Sequence, residues 1–348
     1  MKRFVLYIGG IIIVTFCGIA SVNYSIDPGH IYSMDNLDGI IEGVKGGQNV
    51  EGVTNINERL YKTKLIEINK GKTFDYIALG SSRVMTLSED ALNGESLRNL
   101  GVSGCKIEDM IALYQICLSN NVRFSNAIIA ADPTFFNAFD DDTRWHSIKN
   151  YYDVFMDVKS EGSYDWYKLE NLFSASYFQS SVEALPNEIS GKNQLHYVDT
   201  YINDGFTNRT DGSIYYDRNY RNRPQDVIDK EAMTWKHGSF NQFDTISHER
   251  VELFERLINR MKSDGVNVIF LQTPFHPVFY QRIFKIQGVV DAINYINIFA
   301  QKNDIDIIGS FNPSIVNFAN NDFYDAAHPR KESLDVMLID NKYVRDSN

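Results

Sequence analysis

Phe74-Asp75-Tyr76-Ile77-Ala78-Leu79-Gly80-Ser81-Ser82-Arg83 is a short apolar run cut by a glycine, which then delivers two serines and an arginine. Residues 76–79 are too few for a helix and carry no polar interruption, so they predict a strand buried on both faces. Working outward, Ile107, Met110, Ile111, Tyr114, Cys117 and Leu118 recur at helical spacing, and residues 127–130 give a second buried strand. Val251, Phe254, Leu257, Ile258 and Met261 form another helical stripe, stopped by Asp264-Gly265, with a third strand at 266–271. A helix over 289–300 and a strand over 305–308 complete the pattern. Strands alternating with helices predict an α/β domain with a mainly parallel sheet flanked by helices. It covers 71–348, and a polar, aromatic insertion interrupts it at about 140–240.

Upstream, Lys2 and Arg3 precede an uncharged apolar run from Phe4 to Val22. That length suits a helix crossing about 30 Å of hydrocarbon, and the flanking charges place the N-terminus in the cytoplasm and the body outside. Residues 1–25 are therefore expected as a transmembrane anchor. Gly18-Ile19-Ala20 offers the alternative of a cleaved signal peptide, although the run exceeds the usual apolar length of one. Residues 26–70 are expected as a stem, with 35–55 a loose surface segment because of Gly39, Gly43, Gly46, Gly47 and Gly52. Forty-five acidic against thirty-four basic residues leave a net charge of −11, which argues against nucleic acid as a partner. The three cysteines, at 17, 105 and 117, give no disulfide framework, and no metal spacing is present. No cofactor is implied.

Ligands of open parallel sheets bind beyond the carboxyl ends of the strands. The segments found there are Gly80-Ser81-Ser82, Asn99-Leu100-Gly101-Val102-Ser103-Gly104, Ala131-Asp132-Pro133, Thr273-Pro274-Phe275-His276-Pro277 and Asp325-Ala326-Ala327-His328. This order resembles the SGNH (GDSL-type) hydrolase superfamily, whose sheet is flavodoxin-like. The Gly-Ser-Ser-Arg turn, the anchor and the Thr-Pro turn are similar to a membrane-anchored branch acting in envelope acylation. That branch includes alginate O-acetyltransferase-like proteins and the protein of teichoic-acid D-alanylation. The resemblance spans about 74–335 without the insertion.

The resemblance implies Ser82 as nucleophile, His328 as its general base and Asp325 as the carboxylate orienting the imidazole. It implies an oxyanion hole from the backbone N–H groups of Ser82 and Gly101, with Asn99 as a further donor. Where the superfamily has a donor asparagine this chain has Asp132, which as a carboxylate only accepts. Asp132, Arg83 and His276 are therefore expected as substrate-binding residues. Ser81 becomes the nucleophile if the register is shifted by one. The run from Tyr215 to Arg223 mixes tyrosines and arginines suited to stacking on sugars.

Together these features point to an extracytoplasmic serine acyltransferase or esterase of the bacterial cell envelope. It would act on acyl esters, acetyl foremost, of a cell-surface polysaccharide or glycopolymer, with a membrane-bound O-acyltransferase as partner. The alternatives are a glycan O-acyl esterase and a catalytically silent polysaccharide-binding or scaffold protein.

Overall fold

The computed structural model describes residues 2–29, 31–32, 35–53, 56–140, 142–159, 164–189, 195–200 and 204–343. Its helices are α1 (Lys2–Ile26), α2 (Asp35–Lys45), α3 (Glu58–Glu67), α4 (Ile107–Ser119), α5 (Lys149–Met156), α6 (Tyr164–Leu172) and α7 (Ala175–Ile189), followed by α8 (Arg218–Arg221), α9 (Gln225–Thr234), α10 (His248–Ser263), α11 (Pro277–Ile283), α12 (Gln287–Lys302) and α13 (Lys331–Tyr343). The strands are β1 (Asn49–Glu51), β2 (Thr73–Leu79), β3 (Leu97–Asn99), β4 (Arg123–Ala130), β5 (His196–Val198), β6 (Thr207–Asn208), β7 (Ile214–Tyr215), β8 (Asn267–Gln272) and β9 (Asp306–Gly309).

Five strands form one parallel sheet in the spatial order β3-β2-β4-β8-β9. Counted along the sheet's own strands this is 2-1-3-4-5, a doubly wound order that reverses direction between β2 and β4. The register sets Ile77 beside Ala127 and Ile128 beside Ile269. Side chains alternate between two apolar layers. Ile77, Leu79, Ala127, Ile129, Val268 and Phe270 face the larger one, under α4, α10 and α12. Tyr76, Ala78, Ile128, Ala130, Ile269 and Leu271 face the smaller one, closed by Leu334, Met337 and Leu338 of α13. Burial on both faces is why these strands read as unbroken apolar runs rather than alternating ones.

The four expected strands lie within one or two residues of the expected limits at their carboxyl ends. The fifth, β3, was not expected: Leu97-Arg98-Asn99 is a three-residue edge strand with a charge at its centre. Residues 35–53 are not the loose segment expected over 35–55, whose last two residues lie outside the described ones. Within them α2 buries Leu37, Ile40 and Val44, and β1 pairs antiparallel with β5 and β6 of the insertion. Two of the glycines that suggested looseness, Gly39 and Gly43, are packing positions on one face of α2. A Cβ on Gly39 would lie 2.7 Å from Leu195 Cδ1, and one on Gly43 would lie 2.5 Å from Val50 Cγ2. Farther along, α3 places Tyr61 and Leu65 in the larger layer. At the amino end, α1 is long and apolar enough to cross a membrane.

Candidate active site

The switch point between β2 and β4 sets the floor of the site. Gly80 ends β2 at φ +149°, and any Cβ there would lie 2.4 Å from that of Ala130 at the end of β4. Only glycine lets the two strand ends approach this closely. Ser82 then starts a single 3₁₀ turn, Ser82–Val84. Across the cleft an isolated bridge pairs Phe323 with Pro329 and so closes the intervening residues into a tight loop.

That loop carries Asp325 and His328, and the structure brings both to Ser82. Ser82 Oγ lies 2.7 Å from His328 Nε2, and His328 Nδ1 lies 2.8 Å from Asp325 Oδ2. The other oxygen, Asp325 Oδ1, accepts the backbone N–H groups of Ala327 at 2.7 Å and His328 at 2.8 Å. Asp325 Oδ2 accepts a further hydrogen bond from the Tyr220 hydroxyl. Burial acts to raise the Asp325 carboxyl. The charge of His328, with hydrogen bonds from His328, Tyr220 and Ala327, outweighs burial and holds it well below the usual carboxylate range. Burial, and then the charge of Asp325, push the Tyr220 phenol up, so it stays a donor.

Asp132 and Arg83 sit beneath the serine turn and are engaged with each other. Arg83 Nη1 donates to Asp132 Oδ1, its Nη2 donates to the Thr273 carbonyl, and its guanidinium lies 3.6 Å from the Phe275 ring centre. Ser81 Oγ donates to Asp132 Oδ2. One carboxylate thus grips the residues on both sides of Ser82 and fixes the turn. Replacing the expected asparagine by Asp132 makes this grip possible, because only a carboxylate matches the arginine in charge.

Several expected roles do not fit the geometry. Asn99 is fully buried, and its amide donates 2.7 Å to the Val84 and Leu87 carbonyls. Its Oδ1 accepts the Gly101 N–H at 2.9 Å, so neither Asn99 nor Gly101 has a donor left for an oxyanion. Arg83 and Asp132 border the cleft but spend their charges on one another rather than on substrate. His276 is buried away from the cleft; its Nδ1 caps α11 at the Val278 N–H and its Nε2 meets Asp229 at 3.1 Å.

The cleft above Ser82 and His328 is a cavity of about 630 Å³. Trp235 and Phe240 give it aromatic faces, and Arg144, Asn241 and Gln242 give it polar ones. Gly104, the second glycine of the Asn-x-Gly-x-x-Gly segment, also lines it. The N–H groups of Ser82 and Gly104 have no acceptor among the described residues. The sequence reading gave Tyr220 only a place in the Tyr215–Arg223 run and missed its bond to Asp325, because nothing local links it to a loop 105 residues away. Its run lies against the loop of Asp325 and His328 instead of projecting for sugar stacking: the Tyr216 and Tyr220 rings both meet Tyr324, and Arg223 donates to the Tyr324 carbonyl. Among the described residues no cluster of His, Cys, Asp and Glu could hold a metal ion. No protein-family model and no curated protein matches the sequence, so the chemistry of this cleft rests on its geometry.

Proposed function

We propose that this chain is a membrane-anchored serine acyltransferase acting on acyl esters of a cell-envelope polysaccharide, with the SGNH-type triad Ser82, His328 and Asp325. The observation that carries the proposal is the 2.7 Å and 2.8 Å alignment from hydroxyl to imidazole to carboxylate over a cavity at the sheet's switch point. A serine hydroxyl is a weak nucleophile until a base takes its proton. His328 Nε2 removes that proton as Oγ attacks the acyl carbonyl, and the ionised Asp325 stabilises the imidazolium. The oxyanion is received by the N–H groups of Ser82 and Gly104. Collapse expels the donor's alkoxide, which takes the proton from His328 and leaves an acyl-serine. A sugar hydroxyl then repeats the sequence as acceptor, giving the new ester and restoring Ser82.

Aromatic faces beside amide and guanidinium groups suit a sugar ring, which has apolar faces and a polar rim. The donor is an acyl ester presented by a membrane-bound O-acyltransferase. A fluorophosphonate probe tests the triad on the full-length chain in detergent: it labels the wild type and leaves Ser82→Ala and His328→Ala unlabelled. Equal labelling of all three overturns the nucleophile, and no labelling of the wild type favours a silent binding module. Supplying an acetyl ester with glycan oligomers separates transfer from hydrolysis. Acetylated sugar supports the transferase, and free acetate alone assigns the site to an esterase.

A further inference from the structure

The hairpin of α6 and α7 belongs to the insertion, yet it is fastened to α1 rather than to the sheet. Asn23 of α1 is fully buried, and its amide nitrogen donates at 3.1 Å to the carbonyls of Asn171, Leu172 and Ser174 at the hairpin turn. Its Oδ1 accepts from Ser181 of α7 at 3.3 Å, and Tyr177 of α7 donates to Asp27 at 2.7 Å. Below Asn23 the Phe173 ring meets the Phe16 ring with centroids 6.1 Å apart.

Resting on the reading of α1 as a membrane anchor, we propose that the tip of the α6–α7 hairpin is seated in the lipid leaflet that α1 crosses on the side of the body. Phe16 lies six residues inside the end of the apolar run at Val22, which is about 9 Å along a helix axis. A ring in contact with Phe16 is therefore within the hydrocarbon whenever α1 spans it. Four further features fit that seat. From Asn171 to Val182 no side chain carries a charge. Carbonyls at a helix end cannot be hydrated in lipid, and Asn23 supplies their donors from within the protein. Trp166, Leu169 and Phe173 of the hairpin, at helical spacing, are 66%, 45% and 43% exposed. Tyr24, Tyr32 and Tyr177 cluster around the end of α1, with ring centres 5.4 and 6.4 Å apart, where an interfacial aromatic belt belongs.

A second cavity, about 730 Å³, adjoins this seat between Gly29 and Tyr177 on one side and Arg144 and Tyr216 on the other. Arg144 also lines the catalytic cavity. The hairpin thus holds the cleft close to the bilayer surface.

The test uses the full-length chain in phosphatidylcholine vesicles, with tryptophan emission quenched by lipid brominated midway along its acyl chains. Trp145→Phe and Trp235→Phe leave Trp166 as the native reporter; adding Trp166→Phe with either Phe16→Trp or Phe173→Trp moves the reporter to each ring position. Circular dichroism matching the parent chain certifies each variant. The expected result is strong quenching for the Phe16→Trp and Phe173→Trp reporters and weaker quenching for Trp166. Quenching at Phe16→Trp without quenching at Phe173→Trp overturns the hairpin seat while the anchor stands. No quenching at Phe16→Trp removes the anchor and the seat together. Quenching at Phe173→Trp that vanishes as protein is increased relative to lipid assigns the face to a second copy and overturns the proposal.

Discussion

Two buried aspartates stand close to Ser82, and each holds a basic side chain. Asp132 meets Arg83, whose charge is permanent, and also takes the Ser81 hydroxyl, so its charge is balanced before any substrate arrives. Asp325 meets His328, whose charge changes as a proton moves, and it is surrounded by donors aimed only at the ionised form. The difference separates a fastening from a working part. The first holds the turn that presents Ser82, and in the proposed mechanism the second stabilises an imidazolium.

Substitutions at the two positions should therefore fail in different ways. Asp325→Asn leaves the fold in place and lowers the rate of fluorophosphonate labelling by about 10⁴-fold, as expected when the imidazole loses its orienting carboxylate. Asp132→Asn strands a buried guanidinium and lowers the unfolding free energy by about 3–5 kcal/mol in a urea titration, while the folded fraction still labels. Replacing both members, Arg83→Met with Asp132→Leu, recovers most of that stability, because a buried pair exchanged for apolar groups is close to neutral. If Asp132→Asn instead abolished labelling in a fully folded protein, the contrast between the two aspartates would collapse.

A smaller effect sharpens the working side. Tyr220→Phe removes one hydrogen bond to a charged group and lowers the labelling rate by about tenfold. A rate loss matched by an equal loss of stability in a urea titration would make Tyr220 a packing residue only. The smallest effect concerns Asp335, which is half-buried on α13. Burial pushes the Asp335 carboxyl up to about 6; the charges of Asp90 and Glu332 add to this and Lys331 opposes it. Its unfolded value is near 3.9, so between about pH 4 and 6 the folded state keeps a proton that the unfolded state has lost. Stability from this group is full below pH 4 and fades as pH rises through 6. Asp335→Asn should remove that slope and raise neutral-pH stability by about 1–2 kcal/mol, read from urea midpoints at each pH.

What could be read in the sequence followed from burial. Strands β2, β4 and β8 are covered on both faces, so their apolar runs are continuous and stand out, whereas β3 is three residues at an edge and carries Arg98. Helix α2 stayed hidden because Gly39 and Gly43 lower helix propensity, while their real use is to admit Leu195 and Val50. The order of Ser82, Asp325 and His328 was legible as a motif. The direction of a loop side chain was not: Asn99 looked like a donor for substrate and is spent on backbone carbonyls. Tyr220 reaches the site only through the folding back of the insertion, which no local pattern announces.

The union of Asn23 and Asp27 with the hairpin ties α1 to the insertion at its base. A protein tied on a long flexible leash can sample a hemisphere around its root; one clamped at the base cannot lift away. If α1 spans the membrane, this molecule diffuses laterally as a rigid unit and its reach stops at the first few nanometres above the lipid. A polymer would then have to come to it, which favours chains still emerging at that surface over those already laid down farther out.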